Sequence, residues 1–147
     1  MATITGLDTF DRSVHKSNEW LRALERQLGT DDRRYAYRVL RGFFHVLRDR
    51  LTVDEAAQFA AQLPHLLRGV FYEGWDPSKA PQTYRDPETF LTRLADQARL
   101  AGPTEASIAA RAATDALSEH VSTGEMEDVL HILPEPLRRL LRPADRA

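Results

Sequence analysis

Leu51-Thr52-Val53-Asp54-Glu55-Ala56-Ala57-Gln58-Phe59-Ala60-Ala61-Gln62-Leu63-Pro64-His65-Leu66-Leu67-Arg68 has a counterpart seventy residues on, Val121-Ser122-Thr123-Gly124-Glu125-Met126-Glu127-Asp128-Val129-Leu130-His131-Ile132-Leu133-Pro134-Glu135-Pro136-Leu137-Arg138. Both runs open on a hydroxyl residue followed three positions later by glutamate, the reciprocal cap that starts a helix. In the first, Ala56, Phe59, Ala60 and Leu63 recur at three and four and define one apolar face. Pro64 then stops that helix or starts the next. A short following helix carries Leu66, Leu67, Val70 and Phe71.

The correspondence extends outward without a gap. Shifting the chain by 70 brings Leu21 onto Leu91, Leu24 onto Leu94, Gln27 onto Gln97, Ala36 onto Ala106, Arg41 onto Arg111 and Leu47 onto Leu117. Residues 20–70 against 90–140 give 11 identities in 51 positions, where average composition would give roughly three or four. That excess reads as duplication. Upstream of each run the spacing predicts two more helices. In the first copy, Phe10, Val14, Leu21, Leu24 and Leu28 form the earlier face, with Gly29 ending the helix. Ala36, Val39, Leu40, Phe43 and Leu47 form the next. In the second copy Asp86-Pro87 starts a helix, Gly102-Pro103 ends it, and the alanine-rich stretch 105–120 forms another that permits close helix approach. Nothing alternates with period two. The expectation is an all-α fold, two tandem copies of a roughly four-helix unit packed side by side in the manner of a helical repeat. The units cover about 8–72 and 86–142, joined by 73–85, within a single domain 1–147.

Composition narrows the chemistry. A chain of 147 residues with 42% apolar and 29% charged residues is ordinary for one globular domain. The net charge of −2 argues against a dedicated polyanion binder, and the absence of cysteine removes disulfides, thiolate nucleophiles and cysteine-ligated metals. No apolar run suits a membrane span, and residues 1–10 lack a basic leader, so a bacterial-style cytoplasm is the expected address. The seven glycines are scattered singly, so no phosphate loop or dinucleotide fingerprint is formed, and no nucleophile elbow is present. Glu127, Asp128 and His131 share a helix, but the positions seventy residues earlier hold Ala57, Gln58 and Ala61, so the pattern is not doubled and reads as a solvated acidic face. Asp31-Asp32 serve a helix start. No catalytic residue, metal ligand or cofactor is assigned.

Residues 47–52 (Leu-Arg-Asp-Arg-Leu-Thr), 62–69 (Gln-Leu-Pro-His-Leu-Leu-Arg-Gly) and 72–77 (Tyr-Glu-Gly-Trp-Asp-Pro) together resemble the bacterial domain of unknown function 2267 family, over a span from Phe10 to about Leu141. The resemblance implies an all-helical, internally repeated bacterial domain and implies no activity. The second copy reads Leu133-Pro134-Glu135-Pro136-Leu137-Arg138-Arg139, a departure that argues against an equivalent second site.

Three surfaces remain as candidates. Arg33, Arg34, Arg38, Arg41, Arg48 and Arg50 crowd one helix. A helix-turn-helix would then need a polar recognition helix at 64–71, where the residues are mostly apolar, so the arginines read as a solvated face and nucleic-acid binding is disfavoured. Residues 31–50 carry +3 and residues 105–135 carry −6. This contrast is either satisfied within one chain or offered to a basic partner or a second copy. His65, Arg68, Tyr72 and Trp75, around the aromatic segment 71–75, are the candidate interaction or ligand surface, because Tyr, Trp and Arg anchor interfaces. The same segment serves equally as a plug between the two copies. The leading expectation is a non-enzymatic protein-interaction or regulatory module, with an unknown protein partner or self-association. Alternatives are a small-ligand-binding helical domain with an unrecognised activity and, third, a nucleic-acid binder.

Overall fold

The computed structural model describes residues 4–142; residues 1–3 and 143–147 of the expected single domain lie outside the described residues. Eight α-helices occur among the described residues, with no strand: α1 (Asp8–Leu28), α2 (Arg33–Arg50), α3 (Val53–Ala60), α4 (His65–Tyr72), α5 (Pro87–Ala98), α6 (Pro103–Ser118), α7 (Thr123–Ile132) and α8 (Glu135–Leu141). Among them no helix is long and apolar enough to cross a membrane.

The helix boundaries follow from local chemistry. Asp32 caps α2 by accepting from the Tyr35 amide, and Asp86 caps α5 by accepting from the Thr89 amide. At α3 the cap is reciprocal: the Glu55 amide donates to the Thr52 hydroxyl at 3.2 Å, and the Thr52 amide donates to the Glu55 carboxylate at 2.9 Å. At α7 Ser122 accepts from the Glu125 amide. Gly29 closes α1 in the left-handed region at φ 68°, and Arg99, seventy residues later, closes α5 at φ 58°. The sequence expectation that Gly102-Pro103 ends α5 is therefore corrected. The chain leaves the helix at Arg99, and Pro103 starts α6.

The buried face of α1 also differs from the apolar spacing. Ser13, Ser17, Trp20, Ala23 and Leu24 point inward, while Phe10 is 57% exposed. The inward side abuts α6, whose buried residues are mainly alanines and leave room for the bulk of Trp20. The faces read for α2 and α3 are buried as expected, whereas on α4 only Leu67 and Phe71 are buried.

The principal packing crosses between the first four helices and the last four. α2 lies on α5 and α1 lies on α6, with α1 on α2 and α5 on α6 completing the layer. α2 comes close to α5 at Gly42, where a Cβ would stand 3.1 Å from the Cβ of Ala98. One continuous core results, running from Trp20 and Phe44 through Phe59 and Phe71 to Phe90, Leu117 and Leu137. Residues 73–86 wrap the end of α2, with a short 3-10 turn at Pro77–Lys79, and the Gln82 amide donates to the Asp49 carbonyl at 2.7 Å.

Candidate functional site

The elbow between α3 and α4 is held by an arginine. Helix ends leave carbonyls without intrahelical partners, and Arg68 reaches back to supply them. Its Nε donates to the Ala60 carbonyl at 3.1 Å, and Nη2 donates to Leu63 at 3.3 Å and Ala61 at 3.4 Å. Arg138 does the same for α7, donating to the Leu130, Leu133 and His131 carbonyls at 3.0, 3.1 and 3.2 Å. Arg68, read from sequence as an interface anchor, has three of its donor contacts engaged inside the chain. The signal for this role was present in the doubled Leu-Pro followed four positions later by arginine.

Beside this elbow runs a groove of about 450 Å³ along the N-terminal half of α1. The Leu66 amide donates to the Ser13 hydroxyl at 2.8 Å, tying the first turn of α4 to α1. Trp20 stacks on His120 of the α6–α7 connection at 5.2 Å and closes one end. Arg12, Lys16, Glu19 and His65 line the walls. Glu19 meets the His15 Nε2 at 3.1 Å. The Arg12 and Lys16 side chains, one helical turn apart, have no hydrogen-bond or ion-pair partner among the described residues. Phe10, one turn before Ser13, and Leu66, next to His65, are both more than half exposed.

The far end of α4 is built differently. Its terminal carbonyls receive donors from α2: His45 Nε2 lies 2.8 Å from the Val70 carbonyl, and Arg48 Nη1 donates to Phe71 at 3.0 Å and to Glu73 at 2.9 Å. Arg41 Nε donates to the Glu73 carboxylate at 2.8 Å, which holds that acid below its usual range. Burial pushes His45 below its ordinary value, with the Val70 hydrogen bond opposing. Arg48 is 5% exposed, so its assignment to a solvated arginine face is corrected: that guanidinium is an internal cap. Neither His45 nor Arg48 stands out in the sequence, since both sit among the charged residues of a helix whose apolar stripe is wide.

Tyr72 and Trp75 stack at 5.5 Å beside this cap. Both are partly buried against the core rather than displayed. Trp75 Nε1 is buried without a partner and borders a cleft of about 200 Å³ that Arg48, Asp49 and Lys79 also line. The four candidate residues therefore do not form one site. His65 and Arg68 share the α1 groove, and Trp75, with Tyr72 stacked on it, belongs to the opposite end of an eight-residue helix.

The remaining arginines of α2 are mostly occupied. Arg33 contacts Glu25 and Asn18, Arg38 donates to the Ala98 carbonyl, and Arg50 donates to the Tyr84 carbonyl. The Tyr84 ring lies between the guanidiniums of Arg50 and Arg93, and burial pushes its hydroxyl up to about 12. Two contacts reach the acidic stretch from the first half of the chain: Arg26, ahead of the basic block, pairs with Glu119, and the neutral Tyr35 hydroxyl donates to Glu105 at 2.9 Å. Glu127 and His131 are 3.9 Å apart on an exposed face, and no group of three or more metal-ligating side chains occurs among the described residues. A family model described as Uncharacterized conserved protein (DUF2267) matches residues 17–140. No curated protein matches the chain.

Proposed function

The chain belongs to the family described as Uncharacterized conserved protein (DUF2267), and from that premise we propose that it is a non-enzymatic protein-interaction or regulatory module. The observation that carries this reading is the groove along α1. Two cations with no partner among the described residues, Arg12 and Lys16, line it, and Phe10 and Leu66 are exposed apolar side chains elsewhere on α1 and α4. Arginine and exposed aromatic side chains are enriched at protein interfaces, and a groove with unpaired cations offers charge complementarity to a partner. The partner is another protein or a second copy of the chain.

The proposal includes descent from a duplicated four-helix unit. It is supported by the end of α1 and the starts of α2, α3 and α4, each of which recurs seventy residues on, and by the matched carbonyl contacts of Arg68 and Arg138. A bacterial, cytoplasmic setting belongs to the same reading and rests on the residues that carry the family resemblance. The second reading, a small-ligand domain, is favoured by one observation: the orphaned Trp75 Nε1 beside the cleft of about 200 Å³. Nucleic-acid binding is the weakest, since Arg33, Arg38, Arg41, Arg48 and Arg50 already have acceptors within the chain.

Affinity purification of the tagged chain from its host, read by mass spectrometry, separates these. The expected result is a stoichiometric protein partner that is lost when Phe10 and Leu66 are both changed to Asp, in a variant whose circular dichroism is unchanged. Recovery of a bound small molecule with no protein would replace the leading reading with the second. Recovery of neither, with a monomer by light scattering, would remove the interaction reading.

A further inference from the structure

We propose that the α1 groove is the docking track for a short acidic segment of a partner protein, bound extended with alternate carboxylates on Arg12 and Lys16. This rests on the interaction reading and specifies the partner's chemistry. Four residues of helix separate the two cations by about 6 Å along the axis. Alternate side chains of an extended strand fall on the same side about 6.6 Å apart. The two spacings match, so a segment with acids at i and i+2 meets both cations. The groove runs from Thr9 to Trp20 along α1, roughly 16 Å at the helical rise, which takes about five extended residues.

The remaining walls agree in sign at one end and oppose at the other. Near Arg12 and Lys16 lies the start of α4, where Pro64 offers no side-chain cap and the first-turn amides carry the positive end of the helix dipole. Only the Leu66 amide has a side-chain partner there, Ser13. Arg68 adds its charge from behind while its donors stay on the elbow carbonyls. Glu19, toward Trp20, is the lining carboxylate. It repels an acid at that end and so orients the segment with its charges toward Arg12.

The test uses the full chain and a fluorescein-labelled hexapeptide, Glu-Ser-Glu-Ser-Glu-Leu, read by fluorescence anisotropy at low salt and again at about 0.3 M. Saturable binding is expected, weakened at least tenfold with the Gln-Ser-Gln-Ser-Gln-Leu peptide, and several-fold with Glu-Glu-Ser-Ser-Glu-Leu, which keeps the charge but has no two acids at i and i+2. Arg12→Glu/Lys16→Glu should lose at least tenfold, Arg12→Gln/Lys16→Gln should lose less, and Arg111→Glu, on exposed α6 surface, should lose nothing. All three variants change exposed side chains, and circular dichroism verifies their folding. Absence of saturable binding, equal binding by the double variants, or displacement of the peptide by millimolar inorganic phosphate would each overturn the proposal. Capture of the host partner by Arg12→Glu/Lys16→Glu at wild-type yield would also overturn it while leaving the interaction reading standing.

Discussion

Arg68 illustrates how a charged side chain becomes structural. Its guanidinium spreads several donors in a plane, so a single residue satisfies carbonyls at Ala60, Ala61 and Leu63 that face different directions. Hydrogen bonds from a charged donor are worth about 1.5–3 kcal/mol when buried, and less where solvent competes, as it does at Ala61. Arg68→Ala should therefore lower unfolding free energy in urea by about 1–3 kcal/mol, and Arg68→Lys should recover under half of that. Full recovery by lysine would mean that charge alone matters. His45 gives a second prediction. Its folded value is depressed below 6.5 by burial, so below that pH the unfolded chain takes up a proton that the native state refuses. The contribution is intact above pH 6.5 and is lost as pH falls through the window below it. Urea midpoints at pH 7.5 and 5.5 should drop for the wild type, and His45→Gln should show a shallower drop. Identical slopes would mean that His45 is not the group responsible. Arg68 could be read from the doubled Leu-Pro with its arginine four positions on, but the inward roles of His45 and Arg48 could not. A helical wheel places His45 and Arg48 only near the edge of a wide apolar stripe, and where they point depends on α4 ending beside them.

Among elements, the contact of α2 with α5 is the most extensive. An alanine at Gly42 would gain about 1 kcal/mol of helix propensity. Its Cβ would meet Ala98 Cβ at 3.1 Å and the Ala98 backbone nitrogen at 3.2 Å, and overpacking of this kind costs about 1–3 kcal/mol. The steric term dominates because the neighbour is partly backbone, the nitrogen and Cα of Ala98, which cannot turn aside as a flexible side chain would. Gly42→Ala should lower the thermal midpoint, and a double variant with Ala98→Gly should recover part of the loss; a rise in the single variant would show that the helices separate at no cost. Helix identities and most ends could be read in advance, since the Thr52–Glu55 box, Asp86-Pro87 and Gly29 each act within a turn of themselves. The inward face of α1 could not. Phe10 and Val14 looked like core by spacing, but the alanines of α6 favour a stripe of Ser13, Ser17 and Trp20, a choice made by a partner ninety residues away.

At the scale of the molecule, the core does not divide where the sequence repeats. α1 rests on α6 and α2 on α5, so the apolar face of each set of four helices is closed mainly by the other set. A fragment ending near Trp75 would expose Trp20, Val39, Phe43 and Leu47 to water. We expect residues 1–75 alone to give no cooperative urea transition by circular dichroism, and to regain one when mixed with residues 76–147. Independent cooperative unfolding of the first fragment would contradict the shared core. Periodicity within each segment shows which residues want burial, and the duplication shows that the faces are alike. Which like face covers which is a long-range matter that no local spacing records.

That mutual closure, joined by a connection wrapped around α2, also makes the chain able to trade halves. Straightened, the fourteen residues of connection between α4 and α5 reach roughly 48 Å, and the α1–α6 and α2–α5 contacts are the same whether both partners come from one chain or from two. Refolding at high protein concentration should therefore yield a fraction of exchanged dimer with a native circular dichroism spectrum, and shortening the connection should raise that fraction. Dilution alone should leave such a dimer intact for as long as the core takes to open.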